Sequence, residues 1–373
     1  MALDLEVTPK ALSKILEYAI KQDSPVFIEG KPGIGKSSIV KQVCQKFDIN
    51  LIDLRLLHFE TVDLRGLPSV SDGTTKWNRP DWFPVNVPLG KKTLIFLDEI
   101  NAAPETIQAA AYQIIGDKRI GEHILPEGTL VWAAGNSIDD HAVVYQTPSP
   151  LRSRWTRIKV KADPLEWQDW AMDNLIDSRI IAYLHEKPNY LTDFDRIEEP
   201  SFATPRGWEI LSKYLTNGIA DSSNSESIDL FLHIAAGTVG ENIGGDFVTY
   251  CKYFHGIPRV EDVLEGKIEF IPIDKPSLFY GFCTSIAMRA HSSYNINNKN
   301  KWIKPIFKYA NSIPDSAADI AAMIGYKAFK INGKAVLSQI QKITDKDNPI
   351  RIWMDKYQGL FIFDEDENTI TKT

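Results

Sequence analysis

One short glycine-rich segment near the amino end restricts the fold more than any other part of the chain. An apolar run, Val26–Glu29, precedes the spacing G-x-x-x-x-G-K-S, and a helical pattern follows it. A strand before and a helix after is the context that a phosphate-binding P-loop requires. Glycines lack a Cβ atom, so successive backbone N–H groups can turn inward around a polyphosphate. The residues expected to bind the nucleotide are Gly30, Lys31, Pro32, Gly33, Ile34, Gly35, Lys36, Ser37 and Ser38.

Two side chains of this loop carry its chemistry. Lys36 supplies a positive charge to the β and γ oxygens of a nucleoside triphosphate, and the hydroxyl of Ser37 is placed to ligate Mg²⁺. The helix that begins near Lys36 adds unpaired N–H groups and the positive end of its dipole. The loop therefore predicts binding of a nucleotide together with Mg²⁺.

A second segment predicts that the nucleotide is hydrolysed. Thr93–Leu97 is a continuous apolar run, typical of a strand buried on both faces of a parallel sheet, and it ends in Asp98 and Glu99. Ligands of open α/β sheets bind at the carboxyl ends of the strands. We expect Asp98 to hold the metal, and Glu99 to orient and deprotonate the attacking water.

A third strand end completes this pattern. The apolar run Leu130–Ala134 breaks into Gly135 and Asn136. A neutral amide beside the γ-phosphate can hold the lytic water without adding charge. Asn136 is therefore predicted to orient that water.

Together these motifs resemble those of the AAA+ ATPases, and within them the MoxR-like branch. The resemblance runs from the first helix to about Ser212 and rests on GKPGIGKS, LIFLDEINAAP, AAGN, PSPLRSRW and ATPRGWE. VDLRGLP at Val62–Pro68, followed by KWNRPDWFP at Lys76–Pro84, is similar to an insertion of that branch. The implied fold is α/β: a P-loop NTPase (AAA+) domain with a parallel sheet, a helical lid and a helical C-terminal region.

The resemblance also implies two functional arginines. An arginine just before the fifth strand reaches the nucleotide of the neighbouring subunit; Arg154 occupies that place, and Arg152 lies close enough to compete for it. Such an arginine neutralises charge on the transferred phosphoryl group, which makes hydrolysis depend on assembly. Arg206, in the sequence Thr204-Pro205-Arg206, matches a lid arginine that contacts the γ-phosphate within the same subunit.

Composition sets limits on the class of protein. The 42 basic and 49 acidic residues give a net charge of −7, which argues against a general nucleic-acid binder. The three cysteines, Cys44, Cys251 and Cys283, show no metal-binding or disulfide spacing, which favours a reducing cytoplasm. No apolar run reaches the length of a membrane span, and the acidic N-terminus is unlike a signal peptide.

The texture of the chain predicts three parts: an AAA+ nucleotide-binding domain over 1–162, a helical lid over 163–257 and a mostly helical region over 258–373. Two hairpins are expected in the first part, one with its tip at Ser71–Thr74 and one around Leu125–Gly128. In related assemblies such hairpins face the central pore or a partner. Asp72, Trp77 and Glu122 are therefore candidates for partner contact.

The function expected from all of this is ATP hydrolysis in a homo-hexameric ring that remodels a protein partner. The resemblance implies ATP and Mg²⁺ as cofactors and a partner that carries a von Willebrand A-type domain. Two alternatives stay open at this point. One is a nucleic-acid motor or loader, and the other is a nucleotide-gated scaffold with little turnover.

Overall fold

The computed structural model describes residues 6–136, 154–219, 225–254, 256–292, 301–340, 347–364 and 369–372. The chain divides into two compact units. The α/β unit comprises 1–166, 192–200 and 204–206, and the helical unit comprises 167–191, 201–203 and 207–373.

The α/β unit is built on a six-stranded sheet with the order β1-β10-β2-β9-β6-β3. Every neighbouring pair in this sheet is parallel. The strands of the unit are β1 Glu6–Val7, β2 Val26–Glu29, β3 Asn50–Arg55, β4 Pro68–Ser71, β5 Thr74–Trp77, β6 Thr93–Asp98, β7 Arg119–Ile120, β8 His123–Ile124, β9 Thr129–Gly135 and β10 Thr156–Val160.

Strand β6 shows why the predicted central strands are apolar throughout. Each of its six residues is buried, as is each residue of β9. Side chains alternate along a strand, so Leu94 and Phe96 enter one core cluster, while Ile95 and Leu97 enter the cluster on the opposite face. The sheet therefore has a hydrophobic core on both faces.

Helices cover these two faces. They are α1 Pro9–Lys21, α2 Lys36–Lys46, α3 Thr61–Arg65 and α4 Glu105–Asp117. Helix α1 follows Thr8, whose hydroxyl accepts a hydrogen bond from the Ala11 N–H, and Pro9 occupies its first turn. Leu12 and Leu16 of α1 lie in one core cluster, and Ile107 and Ile114 of α4 lie in the other.

Two hairpins extend from this unit, and one differs in place from the prediction. The β4–β5 hairpin turns at Asp72 and Gly73, as expected. The second hairpin, β7–β8, turns at Gly121 and Glu122 rather than around Leu125–Gly128. Gly121 has a positive φ of 56°, which supplies the tight turn. The Pro126 carbonyl instead accepts a hydrogen bond from the Thr129 N–H, forming a simple turn into β9.

The helical unit holds most of the remaining helices, and two helices straddle the division between the units. Their bounds are α5 Pro164–Asp173, α6 Ser178–Glu186, α7 Pro205–Thr216, α8 Ser225–Val239, α9 Glu241–Cys251, α10 Val260–Leu264, α11 Pro276–Ser292, α12 Ile303–Ser312, α13 Ala318–Ile340 and α14 Pro349–Tyr357. A two-stranded antiparallel hairpin, β11 Phe361–Asp364 and β12 Thr369–Lys372, follows α14.

The core of the helical unit combines aliphatic side chains with a group of packed aromatic rings. Trp353 is fully buried and packs against Phe307 and Phe329, with ring centroids 5.4 and 5.7 Å apart. Its indole N–H donates to the Ala321 carbonyl at 2.9 Å. Within the described ranges, no helix combines the length and the apolarity that a bilayer span requires. The three-part division of the chain stays a prediction.

Candidate functional site

The phosphate-binding loop lies between β2 and α2, at the carboxyl edge of the sheet. Gly33 and Gly35 have φ values of 75° and 95°, which glycine adopts without steric cost. A Cβ at Gly30 would lie 2.7 Å from the Val160 carbonyl oxygen, so only glycine fits where the loop passes β10. The backbone therefore has the compact turn that the motif predicts.

Lys36 is buried inside this loop. Its ammonium donates to the carbonyl oxygens of Gly30 at 2.6 Å and Lys31 at 3.0 Å. It also donates to the side-chain oxygen of Asn136 at 3.1 Å. The lysine is thus positioned between the loop and the end of β9, and the structure brings Lys36 and Asn136 together.

Ser37 and Asp98, the two predicted metal ligands, are in direct contact. The Ser37 hydroxyl donates to a carboxylate oxygen of Asp98 at 2.5 Å. Asp98 is the buried last residue of β6. A hydroxyl and a carboxylate are oxygen ligands of the kind that Mg²⁺ accepts, together with phosphate oxygens and water. Among the described residues, no cluster of three His, Cys, Asp or Glu could hold a metal without such help.

Glu99 follows Asp98 in an unusual backbone conformation. Its φ is 58°, in the left-handed region that non-glycine residues seldom occupy. Its N–H donates to the other carboxylate oxygen of Asp98 at 2.9 Å. Backbone strain of this type persists only where the surrounding structure enforces it, and such strain clusters at functional sites.

A further carboxylate, which the motifs do not indicate, belongs to the electrostatics of this edge. Burial and then the charge of Asp98 raise the pKa of Asp53 on β3, while Arg55 and Lys41 lower it. The carboxylates of Asp53 and Asp98 are thus electrostatically coupled, although burial is the larger cause of the raised pKa.

Asn101 is a second residue that sequence reasoning missed. It lies in a short 3₁₀ turn, Ile100–Ala102, and is buried. Its side-chain amide donates to the Asn136 carbonyl at 2.6 Å and accepts from the Asn136 N–H at 3.1 Å. The signal in the sequence is only an asparagine three positions after Asp98, and nothing local marks Asn136 as its partner.

The segment that carries Arg206 contacts the phosphate-binding loop. The Arg206 N–H donates to the Gly33 carbonyl at 3.3 Å, and a Cβ at Gly33 would lie 2.9 Å from the Cβ of Thr204. The Arg206 side chain is exposed. The backbone of Arg206 therefore lies against the phosphate-binding loop.

The side chain of Arg154, which precedes β10 in the chain, packs against the carboxyl end of α4. Its guanidinium packs over Gly116, where a Cβ would clash with it, and lies 3.8 Å from the Asp117 carboxylate. About half of the side chain, 48%, is exposed. The competing Arg152 lies outside the described residues.

A cavity of about 210 Å³ borders the loop on the side of β10. Gly30, Lys31 and Ile34 of the loop line it, together with Val160, Thr192 and Phe194. The Lys31 ammonium sits 4.6 Å from the centre of the Phe194 ring. Glu6, Lys159 and Lys161 also line the cavity, so its walls combine an aromatic ring and apolar surface with charged side chains.

The strand order and this loop define the class of protein: the α/β unit has the fold of an AAA+ P-loop NTPase. Residues 25–143 match the family model described as AAA domain (dynein-related subfamily). That span begins just before β2 and includes the loop, Asp98, Glu99 and Asn136. Residues 25–143 are therefore similar to an AAA domain, and the predicted fold class is confirmed.

Solved structures give weaker likenesses. RuvB of Thermotoga maritima, described as a Holliday junction branch migration motor, is 16% identical with a TM-score of 0.31, covering 98% of this chain and 91% of RuvB. A variant of the same RuvB has a TM-score of 0.32 at 15% identity, with the same coverage. A candidate ATPase of Cytophaga hutchinsonii is 13% identical with a TM-score of 0.32, covering 94% and 81%. Among curated proteins, none matches the chain.

Proposed function

We propose that this protein hydrolyses ATP in a homo-hexameric ring of the MoxR-like type and uses the energy to remodel a protein partner. The observation that carries the hydrolytic part is the gathering of Lys36, Ser37, Asp98, Glu99 and Asn136 at one edge of the sheet. The side chains of Lys36, Ser37, Asp98 and Asn136 come from three separate segments, and the fold brings Lys36 to Asn136 and Ser37 to Asp98 within hydrogen-bond distance. Glu99 follows Asp98 directly, and its backbone N–H donates to the Asp98 carboxylate.

The proposed reaction is transfer of the γ-phosphoryl group to water. The loop N–H groups and Lys36 bind the β and γ phosphates. The oxygen of the attacking water bonds to the γ-phosphorus while Glu99 accepts a proton from that water. The bond between the γ-phosphorus and the β–γ bridging oxygen then breaks, which releases ADP. Asn136 orients the water through its amide. Mg²⁺ held by Ser37 and Asp98 would neutralise charge on the phosphate oxygens.

The cavity beside the loop is the proposed site of the nucleotide base. It shares Gly30, Lys31 and Ile34 with the loop, so a nucleotide whose phosphates occupy the loop has this cavity close by. The Phe194 ring offers a stacking surface for a purine. We assign ATP over GTP on the resemblance to the MoxR-like branch.

Surface features of the α/β unit support the assembly and remodelling part. Val70 on the β4–β5 hairpin and Ile124 on the β7–β8 hairpin are 81% and 72% exposed, and exposed apolar side chains favour contact with another protein. The two hairpins are joined, since the Trp77 N–H donates to the Glu122 carboxylate at 3.2 Å. Arg154 is exposed enough to reach a neighbouring subunit. The von Willebrand A-type partner rests on the family resemblance alone.

The test is the ATPase rate against protein concentration, with particle size followed in parallel, for wild type and Glu99→Gln. We expect specific activity to rise as rings form. Loss of the general base should lower turnover by about 10²- to 10⁴-fold while nucleotide binding persists. Glu105→Gln, an exposed carboxylate at the start of α4, is the matched control and should keep the wild-type rate.

Two results would overturn parts of the proposal. Unchanged turnover in Glu99→Gln would remove Glu99 from its assigned role. A specific activity that does not depend on concentration, with particles that stay monomeric, would contradict the ring.

A further inference from the structure

The end of β9 is held by a side chain on the side of β6, where its backbone pairing with that strand has stopped. Pairing between β6 and β9 ends at Leu97 and Ala133. Beyond that point, the Asn101 amide bonds both the N–H and the C=O of Asn136, at 3.1 and 2.6 Å. A strand neighbour would offer the same donor and acceptor. Asn101 therefore continues the pairing of β9 through its side chain.

The fit around this contact is close on every side. A Cβ at Gly135 would lie 2.6 Å from the Asn101 Cγ, so only glycine lets the amide approach. On its other side, Gly135 pairs with Glu29 of β2, and its carbonyl accepts from the Gly30 N–H at 3.3 Å. Gly135, which directly precedes Asn136, therefore lies between the phosphate-binding loop and the Asn101 side chain.

Asn101 also belongs to the turn that begins with Glu99. The Ala102 N–H donates to the Glu99 carbonyl at 3.0 Å, closing that turn around Asn101. Asn136, held at its backbone by Asn101, has its side-chain oxygen 3.1 Å from the Lys36 ammonium. One buried amide thereby connects the turn of the proposed general base to the residue that contacts the loop lysine.

We propose that Asn101 is a positioning residue for hydrolysis, which sets the place of the Asn136 amide relative to Lys36 and Glu99. The role requires a donor and an acceptor on one short planar group, which asparagine provides. The inference rests on the proposed function for its effect on turnover. The two hydrogen bonds from the Asn101 amide to the Asn136 backbone, here called the clamp, can be measured without any turnover.

Gln108 offers the matched comparison. It is another buried amide of the same unit, on α4, and it donates to the Ala103 carbonyl at 2.9 Å while accepting from the Tyr112 hydroxyl. None of the hydrogen bonds that the structure gives the Gln108 side chain reaches Asn136, Lys36 or Glu99. If Asn101 merely stabilises the fold, Asn101→Ala and Gln108→Ala should behave alike.

The kinetic experiment compares Asn101→Ala, Gln108→Ala, Asn136→Ala and the double variant of the two asparagines. Since a small misplacement of a catalytic group is costly, kcat of Asn101→Ala should fall by about tenfold or more, with a smaller change in KM for ATP. Gln108→Ala should keep kcat within about twofold, as a change outside the catalytic network does. The double variant should be no slower than Asn136→Ala, because Asn101 acts through Asn136. Additive losses would overturn the proposal.

The activity-independent experiment is hydrogen exchange, read by mass spectrometry on peptides that cover 129–136. Loss of the hydrogen bond should speed exchange of the Asn136 N–H by about tenfold in Asn101→Ala. Gly135→Ala should act in the same direction, because its methyl group displaces the amide from the other side. Gln108→Ala should leave this exchange unchanged.

The two experiments separate the clamp from the proposed function. Unchanged exchange in both Asn101→Ala and Gly135→Ala would overturn the clamp, whatever the kinetics show. A wild-type protein that does not turn over ATP would overturn the proposed function, and the exchange data would still decide the clamp. Faster exchange together with unchanged kcat would overturn the positioning role.

Discussion

The two units use buried charge in opposite ways. Among the described residues, four charged side chains are buried: Glu29, Lys36 and Asp98 in the α/β unit, and Lys327 in the helical unit. The first three lie where β2 and β6 end and α2 begins, at one edge of the sheet. Lys327 lies on α13 in a unit whose core is largely aromatic and aliphatic.

This difference shows where the chain accepts the cost of burying polar groups. Burial of a charge is unfavourable unless it is paired and hydrogen-bonded. In the α/β unit, Lys36 and Asp98 are satisfied by groups that the proposed mechanism uses. Glu29, the third buried charge of that unit, pairs with Arg157 on β10, which has no part in that mechanism. In the helical unit, Lys327 is satisfied by Asp169 at 2.8 Å, an ion pair that also has no part in it. Lys36 and Asp98 therefore belong to the proposed site, while the partners of Glu29 and Lys327 fit a structural role.

The largest expected effect tests the α/β side of the comparison. If Arg154 acts on the nucleotide of a neighbouring subunit, Arg154→Ala should lower the ATPase rate of assembled rings by about 10³-fold. Nucleotide affinity should change little, because the arginine stabilises charge that develops during transfer. Steady-state kinetics at ring-forming concentrations, with nucleotide binding measured separately, check this.

Asp117→Ala is the control for that experiment. It removes the carboxylate 3.8 Å from Arg154 and leaves the arginine in place. The rate should stay close to wild type, since exposed ion pairs contribute little. If Asp117→Ala reproduced the loss, Arg154 would act as a structural ion pair. If Arg154→Ala kept full activity, the trans role would fall to Arg152 or to neither arginine.

The second effect tests whether the helical unit depends on close packing. Gly325 on α13 faces the Trp353 ring so closely that a Cβ would clash with it. Gly325→Ala should lower the free energy of unfolding by about 1–3 kcal/mol through overpacking. Gly237, inside α8 with open space around it, is the matched control. There, Ala should stabilise by about 0.5–1 kcal/mol. Denaturant unfolding of both variants gives the two signs, and equal signs would contradict the packing argument.

The smallest effect compares a buried and an exposed cation. Asp169→Ala leaves Lys327, only 4% exposed, with Asp173 as an ion-pair partner at 3.9 Å. The expected cost is about 1 kcal/mol, because a buried donor loses its closest acceptor. Glu17→Ala breaks the exposed pair with Lys46 at 2.7 Å and should cost less than about 0.5 kcal/mol. Equal costs in thermal or denaturant unfolding would remove the distinction between the two units' ion pairs.

Sequence patterns predicted the local features of the α/β unit well. The apolar runs of β6 and β9 became strands buried along their whole length, and the loop glycines took the φ values that the motif requires. The second hairpin was misplaced by a few residues. Pro126 and Gly128 are typical turn residues, yet the reversal occurs at Gly121, where β7 and β8 are only two residues long. Strands that short have too little periodicity to be found from sequence.

Only part of the candidate site could be predicted from the sequence. Lys36, Ser37, Asp98, Glu99 and Asn136 belong to motifs in which residue type and spacing are set by contact with phosphate, metal and water. Asn101 and Asp53 depend on partners far along the chain, Asn136 and Asp98. No spacing rule marks such pairs, because their distance is decided by strand order.

The P-loop, the buried parallel strands and the polar residues where those strands end can be predicted from the sequence alone. These properties follow from backbone freedom at glycine, from side-chain alternation and from the helix that follows the loop, all of which act over a few residues. The position of β9 between β2 and β6, in contrast, is known only from the fold of the sheet. That neighbourhood places Asn136 against both Lys36 and Asn101, because pairing between distant strands is settled by the packing of the whole sheet and not by any local stretch.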